Sequence, residues 1–199
     1  MNKSLLVRSA IALALATPLL ASAESDLTVG TGNAVARLDF RIIVPRVLYF
    51  AVGTGNAAVS DNNTVDDVTF DYTTNAGAVG QGAGSPAAVI TGDAVTVRAI
   101  GNNGVITVTS TNAGALTNAT TDTIPWSQIT VVSSDNTNFP SPAPSGAATT
   151  LALSSGTKVT NRTATWTYSY TNSNVVPPGT YGSIDGTQNG RLTYTASMP

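Results

Sequence analysis

Four groups of residues in this chain have types and spacings that can support chemistry. Ser155-Gly156-Thr157-Lys158 matches S-x-x-K, in which a lysine amine activates a serine hydroxyl. Gly53-Thr54-Gly55-Asn56-Ala57-Ala58 matches G-x-G-x-x-A, a turn that lets the backbone approach a pyrophosphate. Asp61, Asn63, Asp66 and Asp67 offer oxygen ligands of the kind calcium takes. Trp126, Trp166, Tyr168 and Tyr170 have aromatic faces on which a sugar ring could stack.

Each group needs a particular element to position it. S-x-x-K chemistry wants a helix start with S-D-N and K-T-G partners; here Ser155–Lys158 is a glycine-containing turn leading into a strand, without either partner. A dinucleotide turn must open a helix, whereas Val59-Ser60-Asp61-Asn62-Asn63-Thr64 reads as a loop. The acidic segment has Val65 where a ligand belongs and no glycine in its turn, so it reads as a solvated loop with calcium binding left open. Asp66 and Asp67 are adjacent in an expected strand and point to opposite faces, which separates them as a carboxylate pair. Asp39 and Asp71 lie on polar strand faces, and Trp166, Tyr168 and Tyr170 share one strand face, the pattern of core packing.

The chain has no His and no Cys. No imidazole is available as a general base near neutral pH, and thiolate metal sites, thiol nucleophiles and redox roles are excluded. The expectation is a protein that is not an enzyme, with no catalytic residues, no cofactor and no metal. A hydrolase built on aspartates alone is the distant alternative.

Residues 1–23 read as an export signal. Lys3 and Arg8 precede the apolar run Ala10–Ala16, and Ala21-Ser22-Ala23 is a small-x-small cleavage site. The run is too short for a membrane span, so no transmembrane segment is expected after cleavage. Residues 24–199 are expected to be one domain, exported to the periplasm, the cell surface or beyond. Removing Lys3 and Arg8 leaves that domain acidic, which argues against nucleic acid and against a polybasic hold on lipid. Only 10% of residues are charged, so solubility rests on Thr, Ser, Asn and Gly.

The elements that must position any site are strands. Period-two alternation recurs in Leu38-Phe40-Ile42-Val44, Val68-Phe70-Tyr72, Val95-Val97-Ala99 and Ile106-Val108. The strongest strand is Lys158–Tyr170, with Ala164, Trp166, Tyr168 and Tyr170 on one face. A C-terminal strand places Leu192, Tyr194, Ala196 and Met198 on one face and Thr193, Thr195 and Ser197 on the other. Asn102-Asn103-Gly104 is a hairpin signal, Gln188-Asn189-Gly190 a similar turn, and Pro45 marks a bulge or a change of sheet. Val29–Ala34 and Val52–Ala57 repeat one hexapeptide, read as two loops. No segment shows a convincing helical period. The expected fold is all-β, an antiparallel β-sandwich of the immunoglobulin or pilin-like kind.

The segments Val176-Pro177-Pro178-Gly179-Thr180-Tyr181 and Leu192–Pro199 resemble the ending of bacterial surface β-sandwich proteins, where a P-x-G-T-Y turn leads into a final strand. The resemblance is to WxL-type and fimbrial-subunit-like exported proteins, with Trp166-Thr167-Tyr168 approximating W-x-L. It implies a structural subunit of a surface filament or assembly, partnered by self-association or by other surface proteins. The alternative is a binding module for glycan, peptidoglycan or cell wall. If the chain polymerises, strand addition is the natural route, and Leu38, Phe40, Ile42 and Val44 form the candidate donor or edge strand. The ordinary expectation for that segment is the first strand of the chain's own sandwich.

Overall fold

The computed structural model describes residues 24–54, 59–144 and 146–199. The export signal, residues 1–23, and Gly55–Ala58 of the glycine-rich turn lie outside the described residues. The chain divides between Val44 and Pro45 into two units.

Residues 24–44 contain neither helix nor strand, and every one of them is exposed. Their internal ties are short-range. Thr28 Oγ1 donates to the Asn33 carbonyl, the Val35 N–H donates to Asp26 Oδ2, and Arg37 pairs with Glu24 at 3.7 Å. Leu38, Phe40, Ile42 and Val44 are 76, 85, 86 and 72% exposed.

The unit from Pro45 onward is all-β and antiparallel. Its strands are β1 (Leu48–Val52), β2 (Thr69–Asp71), β3 (Val89–Thr91), β4 (Ala94–Gly101), β5 (Thr107–Asn112), β6 (Leu116–Thr117), β7 (Thr123–Ile124), β8 (Ile129–Ser133), β9 (Thr149–Thr150), β10 (Thr160–Tyr170) and β11 (Leu192–Ser197). Four strands pair in the order β1-β4-β10-β8 and three in the order β11-β5-β9, with small ribbons β2-β3 and β6-β7. No helix among the described residues is long and apolar enough to cross a membrane.

Alternation in sequence becomes alternation in burial. β4 turns Val95, Val97 and Ala99 inward and Thr96 and Arg98 outward; β10 turns Ala164, Trp166 and Tyr168 inward in register with them. Val108 faces inward from β5, and the same buried cluster takes in Ile106, Phe139 and Leu151. Phe139 meets Trp166 edge-on at 5.7 Å, a favoured aromatic geometry.

Two sequence expectations change. Asn102-Asn103-Gly104 is not a hairpin turn, because β4 and β5 belong to different sheets; it carries the chain from one to the other, with Gly104 at φ +118°. Leu38–Val44 forms no strand. The β1–β4 ladder ends at Leu48 and Gly101. The Asn102 side chain accepts the Val47 N–H at 2.9 Å and donates to the Pro45 carbonyl at 2.8 Å, closing the β1–β4 ladder. Beyond it β4 turns away, and Pro45 offers no N–H to continue. Asp66 and Asp67 likewise precede β2 and are not in a strand.

Candidate functional site

The two larger sheets each end in a strand whose inward face is only half-covered. In antiparallel pairs, directly opposed residues share a face. Phe50 opposes Ala99 and Val52 opposes Val97, both fully buried, yet Phe50 and Val52 themselves are half-buried. Tyr194 opposes Ser110 and Ala196 opposes Val108, again buried residues, while Leu192, Tyr194, Ala196 and Met198 are half-buried. Burial therefore falls away at β1 and at β11.

These two edges are neighbours. The Arg46 guanidinium donates to the Met198 carbonyl at 2.9 Å, and the Asn103 N–H points at Met198 Sδ at 3.3 Å. Within this unit, Leu192–Ser197 makes backbone ladder bonds only to β5 among the described residues. The opposite edge is treated differently. Beside β8, Ser141 Oγ donates to the Val131 carbonyl, and Ser133 Oγ donates to the Phe139 carbonyl at 2.6 Å.

The aromatic face of β10 and the apolar face of β11 come together. Tyr168 and Tyr194 share a hydroxyl–hydroxyl hydrogen bond of 2.8 Å, and Trp166 lies 5.0 Å from Tyr194, centroid to centroid. Burial raises the pKa of both phenols above the ordinary tyrosine value. Trp166 is fully buried, and Tyr170 packs on Phe70 and Tyr72. Trp126 stands apart in a 3-10 turn, its Nε1 donating to the Gly114 carbonyl at 2.8 Å. These side chains thus do not combine into one exposed stacking platform.

The other groups have local duties. Asp66 accepts the Thr54 N–H at 2.6 Å and the Thr54 hydroxyl at 2.7 Å, tying the loop to the end of β1. Gly53 beside it sits at φ +102°, and a Cβ there would strike the Asp66 carboxylate. Among the described residues, no three acidic side chains gather where a metal ion could sit. Asp71 accepts from the Thr73 hydroxyl and N–H, which hold its pKa below the ordinary carboxylate value. Ser155 bridges Val159 around Gly156, at φ +55°, so the S-x-x-K segment is the turn into β10.

Sequence reasoning missed two organising residues. Phe139 stands in a stretch rich in Pro, Ala and Gly with no period-two alternation, yet it is fully buried. Asn172 is 1% exposed at φ +51°; it donates to the carbonyls of Ala78 and Ser85 and accepts the Gly80 N–H. A lone aromatic before Pro140 was a faint signal for the first. Nothing local marked the second.

The chain matches no protein-family model, no curated protein and no solved structure.

Proposed function

We propose that this protein is an exported, non-enzymatic structural subunit of a cell-surface assembly, joined to its neighbours by strand addition. The observation that carries the reading is the segment Leu38–Val44: four large apolar side chains at alternate positions, each more than 70% exposed and in no strand. Exposed apolar area of that kind is a liability unless a partner covers it, and its period suits a sheet edge. The sequence pattern of residues 1–23 supports export, and the Thr- and Asn-rich outward faces suit an extracellular sheet protein.

The fold reading that accompanies this is an immunoglobulin-like sandwich. The orders β1-β4-β10-β8 and β11-β5 correspond to A-B-E-D and F-C of that architecture, whose second sheet is completed by a seventh strand beside F. Among the described residues no strand fills the seventh place.

The test is an immunoblot of material sheared from expressing cells, run unboiled and boiled in SDS. The expected result is a ladder that collapses to one band on boiling. A lone monomer band in the sheared and periplasmic fractions rejects the reading.

A further inference from the structure

We propose that the two ends of the unit from Pro45 onward are the two halves of one interface, the acidic end of one copy docking on the basic end of a second copy. The contact rests on the assembly reading above and is separate from strand addition.

Strand direction defines the ends. β1 finishes, β4 starts and β10 finishes at one end; Leu48, Gly101 and Thr160 meet at the other. The loops follow their strands. At the first end, Asp66 holds the Thr54 N–H just past β1, the Asp93 carbonyl accepts the Tyr168 N–H just before β4, and Tyr72 packs edge-on against Tyr170 at the tip of β10. The Gln128 carbonyl accepts the Thr171 N–H and the Thr117 carbonyl accepts the Gly182 N–H, which gathers residues 113–128 and 171–191 there too. At the second end, Asn102 holds Val47, the Lys158 carbonyl accepts the Gly104 N–H, and Arg162 donates to the carbonyls of Ala152 and Leu153.

Charge separates along this axis. Of the unit's eight aspartates, all but Asp135 belong to the first end, with Arg191 as its base. Arg46, Lys158 and Arg162 belong to the second end, as does Asp135. Exposed apolar side chains gather at both ends. Val175 and Ile184 are 75 and 69% exposed at the acidic end; Val105 and Val159 are 39 and 42% exposed at the basic end. The outer sheet faces between them carry Thr163, Thr167, Thr193 and Thr195, with Val132 the exposed apolar exception. Open apolar side chains under opposite charge are the make-up of two complementary surfaces. Because the halves differ, docking leaves one acidic and one basic end open, and repetition gives a linear array.

Lys158 supplies the sharpest contact. It is the one lysine in residues 24–199, and residues 154–159 around it are all exposed. In the second copy it meets Asp71 and Asp122, beside the half-buried rings of Tyr72, Tyr170 and Tyr181, so carboxylates and aromatic rings receive the ammonium together. Burial, and then the neighbouring Asp122 charge, raise the Tyr181 pKa, which puts that carboxylate near the ring.

The experiment is zero-length carbodiimide coupling of the purified full chain, which condenses an amine with a touching carboxylate into an amide with loss of water. Linked peptides are assigned by mass spectrometry. β10 alone has 11 residues, roughly 33 Å of strand, so an amide from Lys158 to Asp71, Asp122 or Asp185 forms only between copies. That link is the expected result. Its yield falls at least roughly threefold between 0.1 and 1 M salt, as the screening length shrinks from about 10 to about 3 Å. Lys158→Gln leaves thermal unfolding unchanged and weakens self-association roughly threefold in sedimentation equilibrium, the effect of one exposed pair. Lys158 linked solely to Asp135 or to residues 24–44, no link between copies, or a yield that salt does not change overturns the contact. If a boiling-sensitive ladder persists in that case, the assembly reading stands and only this contact is wrong. If the link forms while sheared material shows no ladder, the contact holds and the surface-assembly reading fails.

Discussion

Phe40 and Phe139 are the same side chain in opposite situations, 85% and 0% exposed. Replacing each with alanine separates the arm from the core. Phe139 is enclosed by the buried cluster and stacks edge-on against Trp166, so Phe139→Ala removes both transfer energy and packing. Such a change destabilises a domain by about 3–5 kcal/mol. At about 2–4 °C per kcal/mol for a chain of this size, the midpoint of thermal unfolding falls by roughly 6–20 °C. Phe40→Ala touches no core, and an exposed substitution of this kind stays within about 0.5 kcal/mol, or roughly 2 °C. The order reverses for association. Burying a phenylalanine contributes about 1.5–3 kcal/mol, so losing Phe40 weakens self-association by roughly 10- to 100-fold. The assays are thermal unfolding followed by circular dichroism at high dilution, and sedimentation equilibrium for association. A fall of 6 °C or more in the dilute Phe40→Ala chain refutes the reasoning, because it means that the arm is part of its own domain's core.

Three further outcomes follow from the same structure. Burial raises the pKa of Tyr168 and Tyr194, so the stability tied to their neutral forms is complete below pH 10 and is lost as pH rises further; Tyr194→Phe flattens that alkaline loss in urea titrations across pH 9–12. Asp185 is held at about 2 by the Ser183 hydroxyl and by the Thr187 N–H and hydroxyl, so its contribution is present above the unfolded value near 4 and disappears as pH falls through about 2; Asp185→Asn reduces the slope of stability against pH in that window. Asn172→Ala leaves the Ala78 and Ser85 carbonyls and the Gly80 N–H without their partner, at a positive φ that alanine disfavours, and lowers unfolding free energy by about 1–3 kcal/mol in denaturant titration.

The strands were readable because alternation is a local signal. β4, β11 and β10 from Ala164 onward carry an apolar side chain at every second residue, and β-branched neighbours suit the pleat. Pairing is not local. Asn102-Asn103-Gly104 has hairpin chemistry, but a turn of that composition serves equally to pass from one sheet to another. Leu38–Val44 alternates as cleanly as β11, and no residue within it says whether a sheet edge waits for it in the same chain. The end of the β1–β4 ladder is likewise set from afar, by Asn102 accepting the Val47 N–H across 55 residues. The edge of β11 was half legible for the same reason: its three inward residues, Leu192, Tyr194 and Ala196, stand in the sequence, while the neighbouring edge of β1 is brought there by folding. Asn172 was invisible because a buried asparagine is recognised by the carbonyls around it, which come from residues 78 and 85.

The most direct measurement compares the wild-type chain with Phe40→Asp,Ile42→Asp, each sheared from expressing cells and immunoblotted unboiled. Both substituted side chains are more than 80% exposed, so the variant monomer is expected to fold and to be exported at wild-type levels. The account predicts a ladder for the wild type and a single monomer band for the variant. An unchanged ladder in the variant contradicts it.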